Sequence, residues 1–228
     1  MPPAQEPPTA YDGAPRRLVL PFGTGLTRIH DSRFGAVEFN PTVATSDLQG
    51  GRFDATPADA YPFLYAAADD ATAVAEVLLR DLPINDFGAR LLPRGALSNR
   101  RIGWLRTTVE LEVVTLRSGV DLAAVGQDPW LTTGPAAEYG LTRRWSAAIR
   151  RWAPDAAGLT WRSSREPEGF AYVFFGDRCP AGCFDEVTDS LPVPVGDQNL
   201  GEGTGRLYVE EMLARYRVAL FQEPRPPA

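Results

Sequence analysis

The amino-acid sequence predicts an α+β fold in a single domain. Short apolar runs typical of strands and amphipathic stripes typical of helices are both present. They follow one another without the regular βαβ alternation of a parallel sheet. The 228 residues include 44% apolar and 23% charged residues, which suits a globular domain with its own core. We therefore predict one domain at 17–222, with a disordered Pro- and Ala-rich lead-in at 1–16 and a disordered tail at 223–228.

The elements predicted before residue 100 are short. An apolar run predicts a strand or extended arm at 17–22, and the pair Asn40-Pro41 predicts a turn. A second apolar run predicts a strand at 63–66, shortly before a helix. Prolines and glycines recur between 83 and 99, so this stretch is predicted to be a long irregular loop.

The helix after the strand at 63–66 has a recognisable start. Asp69 or Asp70 is a suitable N-cap, because a carboxylate oxygen can accept the free N–H groups of the first turn. Glu76 lies off the apolar stripe of this helix, and two interpretations are open for it. It is either a solvated side chain that pairs with Arg80, or a carboxylate that faces a cleft. The stripe itself consists of Ala71, Val74, Ala75 and Leu78.

The clearest strand pattern lies after residue 100. Alternating apolar side chains predict a strand within 101–117, and a stripe of large apolar residues predicts a helix at 136–152 that ends before Pro154. A continuous apolar run at 170–175 is typical of a central strand. The remaining predicted elements are a short helix at 119–125, a strand at 158–163, an extended segment at 184–194, a helix at 207–215 and a closing strand at 217–222.

Composition limits the possible functions. All 23 basic residues are arginine, so anion binding falls to guanidinium groups or to backbone N–H groups. The net charge of -6 argues against a protein that binds nucleic acid directly. The pairs Arg100-Arg101, Arg143-Arg144 and Arg150-Arg151 are interpreted as local, solvated charges.

No metal site, membrane span or secretion signal is predicted. Cys179 and Cys183 are interpreted as free thiols in a loop, and the single histidine, His30, is far from them in the sequence. The longest apolar runs are too short to cross a bilayer, and the first 17 residues lack the apolar segment of a secretion signal. We therefore expect a cytoplasmic protein without a resident cofactor.

Several separated polar residues are candidate anchors for a substrate. Arg28 and Arg52 each follow a glycine-bearing turn, Tyr65 ends a strand, and Ser163 closes a strand from the second half of the chain. Two arginines can fork onto phosphate oxygens, and a tyrosine can stack on a planar base. A single carboxylate such as Glu76 can stabilise the oxocarbenium ion that forms on the sugar while an N-glycosidic bond is cleaved. This set of residues permits an enzyme that acts on a pyrophosphate-bearing N-glycoside.

Several segments together resemble the RES domain, a family named for an arginine, a glutamate and a serine. The resemblance covers about residues 26 to 176, with Phe53 where tryptophan is common and Trp161 where tyrosine is usual. It implies an ADP-ribosyltransferase-like fold with a mixed or split β-sheet and flanking helices. The segments that carry it are TRIHDSRFGAVEFNP, GGRFD, FLYAA with AVAEVLLRD, and GLTWRSSRE.

The resemblance also implies roles for individual residues. Arg28 and Arg52 would bind the phosphates of NAD+, and Tyr65 would contact its nicotinamide end. Glu76 would be the catalytic carboxylate, and Ser163 would orient that carboxylate or the ribose. The doubled serine leaves Ser164 open as the alternative. The residues with implied catalytic roles are Glu76, Arg52 and Ser163, and those with implied roles in binding NAD+ are Arg28, Arg52, Tyr65 and Ser163.

The activity implied by the resemblance is the consumption of NAD+ as a substrate. Cleavage would proceed by hydrolysis, or by phosphorolysis with inorganic phosphate as co-substrate. Many such proteins are toxins of toxin–antitoxin pairs, silenced by a partner of the Xre type. Two alternatives stay open: a transferase that places ADP-ribose on a protein or other acceptor, and a binding module that has lost catalysis. The oligomeric state is also left open.

Overall fold

The structure is a computed structural model that describes residues 5–10, 12–80 and 82–222. Within these ranges the chain forms ten strands and five α-helices. The strands are β1 (Arg17–Leu20), β2 (Gly25–Asp31), β3 (Phe63–Ala67), β4 (Arg90–Pro93), β5 (Arg100–Thr107), β6 (Leu111–Leu116), β7 (Gly158–Arg162), β8 (Phe170–Phe175), β9 (Phe184–Glu186) and β10 (Val218–Phe221). The helices are α1 (Asp70–Val74), α2 (Gly119–Ala124), α3 (Trp130–Thr133), α4 (Tyr139–Trp152) and α5 (Gly203–Arg215). A π-helical turn at Ala75–Leu79 continues α1, and short 3-10 helices lie at Arg94–Leu97 and Ala136–Glu138.

Eight of these strands form one mixed sheet in the order β1-β6-β7-β8-β3-β2-β5-β9. Neighbouring strands are antiparallel except β6 and β7, which are parallel. β4 and β10 form a separate parallel pair. A mixed sheet with flanking helices confirms the predicted α+β class. β3 lies between β8 and β2, which places Tyr65 of β3 and Arg28 of β2 on adjacent strands.

Hydrophobic clusters hold the helices against the sheet. In one cluster Trp145 of α4 packs with Trp161 of β7 and Val173 of β8. In another, Val74 of α1 packs with Met212 of α5. Each fully buried side chain of this kind stabilises the fold by roughly 1.5–3 kcal/mol. These clusters fix the helical segment at 70–79 and the start of α4 relative to the middle of the sheet.

The prediction of one strand within 101–117 is wrong. The chain forms two strands there, β5 and β6, which are separated by 108–110 and lie in different halves of the sheet. At the break, the N–H of Thr108 donates to the carbonyl of Cys183, and its hydroxyl donates to the carbonyl of Gly182. No glycine or proline marks this break, and the alternation of apolar residues continues through it at the exposed Val109. The sequence pattern therefore contains no signal for the change of direction.

Two other stretches also differ from their predictions. The stretch 83–99 is not irregular throughout, because it contains β4 and the 3-10 helix at Arg94–Leu97. β4 exists because it pairs with β10 more than a hundred residues later, and a local pattern cannot show such a pairing. In the segment predicted to be extended at 184–194, only the three residues of β9 form a strand.

The longer predicted helices are confirmed, with changed ends. Asp69 is the N-cap of α1, and its side chain accepts the N–H of Thr72 at 2.7 Å. The helix predicted at 136–152 begins with a 3-10 turn, so that α4 proper begins at Tyr139. The helix predicted at 207–215 begins earlier, at Gly203, where the Asp197 carboxylate accepts a first-turn N–H.

The interpretation of the arginine pairs as solvated is wrong for Arg143 and Arg150. These residues are only 2% and 3% exposed. The Arg150 guanidinium forms ion pairs with Asp59 at 2.9 Å and Asp177 at 2.8 Å, and its Cζ lies 3.8 Å from the ring centroid of Tyr61. Arg143 donates instead to backbone carbonyls. An arginine can be buried when partners surround its fork of donors, and here those partners come from distant parts of the chain.

The two ends of the chain are described only in part. The tail at 223–228 lies outside the described residues, as do 1–4 and 11 of the lead-in. In the described part of the lead-in, the carbonyl of Gln5 accepts the indole N–H of Trp145 at 2.7 Å, and Glu6 accepts hydrogen bonds from Arg144. Among the helices that the structure describes, none has the length and apolar character needed to cross a bilayer.

Candidate active site

A cavity of about 270 Å³, here called the central pocket, lies between β2, β3 and the helical segment at 70–79. Four of the five predicted site residues line it: Arg28, Arg52, Tyr65 and Glu76. The fifth, Ser163, is hydrogen-bonded to Glu76. The structure therefore brings all five residues together, although they come from separate segments of the chain.

Glu76 is positioned by an irregular helical turn. α1 is followed directly by the π-helical turn at Ala75–Leu79, on which Leu78 is buried and Glu76 is only partly buried. A π-helical turn widens the helix by one residue and changes the direction of its side chains, and such turns are frequent at functional sites. Glu76 faces the central pocket, so the structure supports the cleft-facing interpretation of the two that the sequence left open.

Ser163 fixes one oxygen of the Glu76 carboxylate. Its hydroxyl donates to Oε1 of Glu76 at 2.6 Å and accepts the backbone N–H groups of Arg165 at 3.2 Å and Glu166 at 3.1 Å. One donated and two accepted bonds use the full capacity of a hydroxyl group, so its proton is committed to Glu76. Ser163 is 2% exposed, whereas Ser164 is exposed. The serine that contacts Glu76 is therefore Ser163.

Arg28 is anchored through one nitrogen of its guanidinium group. Nη1 donates to the carbonyls of Ala36 at 2.8 Å, Glu38 at 2.7 Å and Gly35 at 3.3 Å. Burial lowers the pKa of Arg28 to about 10, which leaves it cationic at neutral pH. Its hydrogen bonds to the described residues all use Nη1, so Nη2 and Nε remain as donors for a ligand in the central pocket.

Arg52 is anchored by α3, in the second half of the chain, and by the glycine that follows this helix. Its Nη1 donates to the carbonyl of Leu131 at 3.3 Å and its Nη2 to that of Gly134 at 3.0 Å. Its Cζ lies 4.7 Å from the ring centroid of Tyr139, within the range of a cation–π contact. Burial lowers the pKa of Arg52, and the negative charge of Glu76 opposes this shift. Arg52 therefore holds the end of α3 while it faces the central pocket.

Tyr65 is held by its hydroxyl group, which leaves its ring toward the pocket. The hydroxyl donates to Oδ1 of Asp54 at 2.9 Å and accepts the N–H of Phe53 at 2.9 Å. Burial raises the pKa of Tyr65 well above its usual range and also raises the pKa of Asp54. The ring lies edge-to-face with the ring of Trp161, with centroids 6.2 Å apart. Tyr65 and Trp161 thus give the pocket an aromatic wall.

The two glycines before Arg52 are required by the turn that presents it. Gly50 has a φ of +80°, which disfavours any residue with a side chain. A Cβ atom on Gly51 would lie 2.7 Å from Oδ1 of Asp54, closer than real contacts allow. The buried Arg143 donates to carbonyls of the same turn, including that of Ser46 at 2.9 Å. These contacts explain why GGR occurs at this point of the sequence.

Four further ionisable residues of the central pocket were not predicted from the sequence as site residues. Arg80 and Arg100 both line it, and Tyr139 is 2% exposed and contacts the guanidinium groups of Arg52 and Arg80. Asp54 also lines it, and its position within GGRFD was the one available signal. Tyr139 gave no signal, because an aromatic residue at the start of a helix is typical of an ordinary core position.

His30 and the cysteines lie outside the central pocket. His30 is buried, and burial together with the charge of Arg28 lowers its pKa to about 4, so it is a neutral, packed histidine. Cys179 and Cys183 are free thiols, as predicted. Within the part of the chain that the structure describes, no group of three or more His, Cys, Asp or Glu side chains could hold a metal ion.

The fold and the site define an α+β protein with a mixed sheet, and with one carboxylate and a set of arginines in a pocket beside the middle of that sheet. The chain belongs to the RES domain family, whose model matches residues 26–195. The match extends beyond the resemblance seen in the sequence, through β9 and into the segment after it. A chain in the crystal structure of the M. tuberculosis MbcT–MbcA toxin–antitoxin complex has a similar fold, with a TM-score of 0.53 and 16% sequence identity, over 74% of this chain and 84% of that chain. A search of curated proteins gave no match.

Proposed function

We propose that this chain is an enzyme that consumes NAD+ by cleaving the bond between nicotinamide and ribose, with water or inorganic phosphate as the second reactant. One observation carries the proposal: a carboxylate, Glu76, is oriented by Ser163 in the same pocket as Arg28, Arg52 and Tyr65. Membership of the RES domain family supports it, because that resemblance implies the same substrate.

The proposed chemistry needs only one carboxylate. As the bond between C1′ of the ribose and N1 of the nicotinamide breaks, its electron pair moves to the positively charged ring. Nicotinamide then leaves as a neutral molecule, so no general acid is required. Positive charge develops on the ribose, and the fixed negative charge of Glu76 stabilises it. An oxygen of water or phosphate then bonds to C1′, and attacking water releases its proton.

The other residues of the pocket suit the remaining parts of the substrate. The Nη2 and Nε groups of Arg28 and the charge of Arg52 would attract the pyrophosphate. Because the Tyr65 hydroxyl is engaged by Asp54 and Phe53, its ring is the part that would meet the nicotinamide. No resident cofactor enters this scheme, since NAD+ is itself the substrate.

We further propose that the chain acts in the cytoplasm as the toxin of a toxin–antitoxin pair, neutralised by a protein of the Xre type. An enzyme that drains NAD+ harms its own cell unless a partner covers its pocket. A structure of similar fold belongs to a toxin–antitoxin complex, which supports this assignment. Expression of the chain alone should arrest growth while cellular NAD+ falls, and expression of Glu76→Gln should do neither. Harmless expression of the folded wild-type chain would contradict the toxin role.

The direct test is incubation of the purified chain with NAD+, with and without phosphate. Nicotinamide release with free ADP-ribose as co-product indicates hydrolysis, and release that depends on phosphate and yields a phosphorylated ADP-ribose indicates phosphorolysis. Labelling of an added protein acceptor instead indicates ADP-ribosyl transfer. The absence of nicotinamide release under all these conditions would overturn the proposed activity.

A further inference from the structure

A second cavity adjoins the central pocket and carries a concentration of positive charge. Its volume is about 620 Å³, and Arg52, Arg80, Arg90 and Arg165 all contribute to its lining. None of the described residues that line it is acidic. We call this cavity the arginine annex.

The annex and the central pocket share a boundary. Arg52, Arg80 and Tyr139 line both cavities, and both guanidinium groups lie against the Tyr139 ring, with Cζ-to-centroid distances of 4.7 and 5.2 Å. A ligand that reaches across this boundary would therefore contact Arg52 and Arg80 on its way from one cavity to the other.

The two arginines that belong to the annex alone are held by backbone groups. Arg165 donates from Nε to the carbonyl of Arg80 at 3.0 Å, close to the end of the helical segment at 70–79, where the helix dipole favours a cation. Arg90 donates from Nη1 to the carbonyl of Tyr216 at 3.3 Å. Its Nε atom is buried and has no hydrogen-bond acceptor among the described residues. A buried donor without an acceptor is unfavourable unless a ligand or water supplies one.

The volume of the central pocket also favours a ligand that extends into the annex. The central pocket, at about 270 Å³, is smaller than the roughly 300–1,000 Å³ typical of pockets that enclose a small-molecule ligand. A dinucleotide whose nicotinamide ribose lies beside Glu76 must therefore extend out of it. Several like charges in a cavity whose described lining includes no acidic side chain also concentrate anions in that space. Guanidinium forks match phosphate oxygens in charge and in geometry.

We propose that the arginine annex is an anion subsite that binds a phosphoryl group beside the central pocket. The inference deepens the proposed NAD+ cleavage and rests on it for the identity of the neighbouring reaction. Two sources offer the same chemistry: the part of a dinucleotide's pyrophosphate that extends past Arg28 and Arg52 out of the central pocket, or a free inorganic phosphate. Arg90 and Arg165 are its distinguishing residues, because neither lines the central pocket.

The test compares the full chain with its Arg90→Gln/Arg165→Gln double variant, and with Arg151→Gln as a control that removes one charge from the exposed end of α4. Inorganic phosphate and pyrophosphate are titrated calorimetrically into each protein. NAD+ and nicotinamide riboside, which has no phosphate, are titrated into the same set in a Glu76→Gln background, in which turnover is expected to be slow. The two single variants and the Arg90→Lys/Arg165→Lys variant are measured in parallel, so that a folding defect in one protein does not remove the comparison.

If the dinucleotide supplies the phosphoryl group, the double variant binds NAD+ at least about tenfold more weakly, while nicotinamide riboside binds as before. If free phosphate is the ligand, the double variant loses phosphate binding by a similar factor and keeps its affinity for NAD+. The affinity of the lysine variant should lie between those of the wild type and of the glutamine double variant, because lysine keeps the charge and loses the forked geometry. Unchanged binding of phosphate, pyrophosphate and NAD+ in the double variant would overturn the subsite. Failure of the wild type to release nicotinamide would overturn the proposed reaction instead, and the pyrophosphate titration would still report on the annex.

Discussion

Replacement of Ser163 by alanine tests whether the hydroxyl group that contacts Glu76 holds the carboxylate in place. The variant loses one hydrogen bond to a charged group, the 2.6 Å contact to Oε1, which is worth about 1.5–3 kcal/mol. Glu76 faces a cavity and can take a water molecule in exchange, so the lower part of that range applies. The N–H groups of Arg165 and Glu166 lose their acceptor, but they lie in a loop that water can reach. For a chain of this length, a loss of about 1.5 kcal/mol lowers the melting temperature by about 3–6 °C.

The effect of Ser163→Ala on turnover should exceed its effect on stability. A misplaced catalytic group can lower the rate about 10²-fold, and Glu76 without its partner can turn away from the ribose. The assay is NAD+ turnover and thermal melting on one preparation. Ser164→Ala is the matched control, because Ser164 is adjacent and exposed. It should change the free energy of unfolding by no more than about 0.5 kcal/mol, and it should change turnover far less than Ser163→Ala does. Turnover of Ser163→Ala close to that of the wild type would refute the positioning role.

Two further predictions concern buried ionisable side chains. Arg143→Gln should lower the free energy of unfolding by about 2–4 kcal/mol, because it leaves the carbonyls of the turn at 46–51 without their donor. The control, Arg144→Gln, should change the free energy of unfolding, measured with urea, by less than about 1 kcal/mol. The folded pKa of His30 is about 4 against an ordinary value of 6.5, so between these values the unfolded chain binds the proton and the folded chain does not. Stability should therefore fall by about 2–3 kcal/mol as the pH falls across this window, and His30→Gln should remove that part of the dependence; an identical pH profile in both proteins would contradict it.

The sequence predicted those site residues whose chemistry lies within short motifs. Arg52 follows two glycines that the turn requires, and Glu76 lies on a helix whose cap and apolar stripe are both local features. Their convergence on one pocket came from the family resemblance, since spacing along the chain does not show which segments meet. The orientation of Glu76 could not be derived either, because the π-helical turn at Ala75–Leu79 depends on packing.

Features that depend on distant partners were not predicted. Arg143 and Arg150 look like surface charges in a helix, but carbonyls, aspartates and aromatic rings from other segments allow them to be buried. β4 needs β10 for its existence, and the break between β5 and β6 depends on the loop at 179–183. Tyr139 belongs to the same class, because its role depends on two arginines from the first half of the chain.

The measurement that tests the central claim most directly is NAD+ turnover by Glu76→Gln, with thermal melting on the same preparation. Glutamine keeps the size of the side chain and a carbonyl oxygen that can still accept the Ser163 hydroxyl, so the fold should be retained. It removes the negative charge that stabilises the oxocarbenium ion, which should lower turnover by about 10²–10³-fold. Glu168→Gln, in the exposed loop after Ser163, is the control and should turn over NAD+ like the wild type. A folded Glu76→Gln protein with turnover close to that of the wild type would contradict the assignment of Glu76 as the catalytic carboxylate.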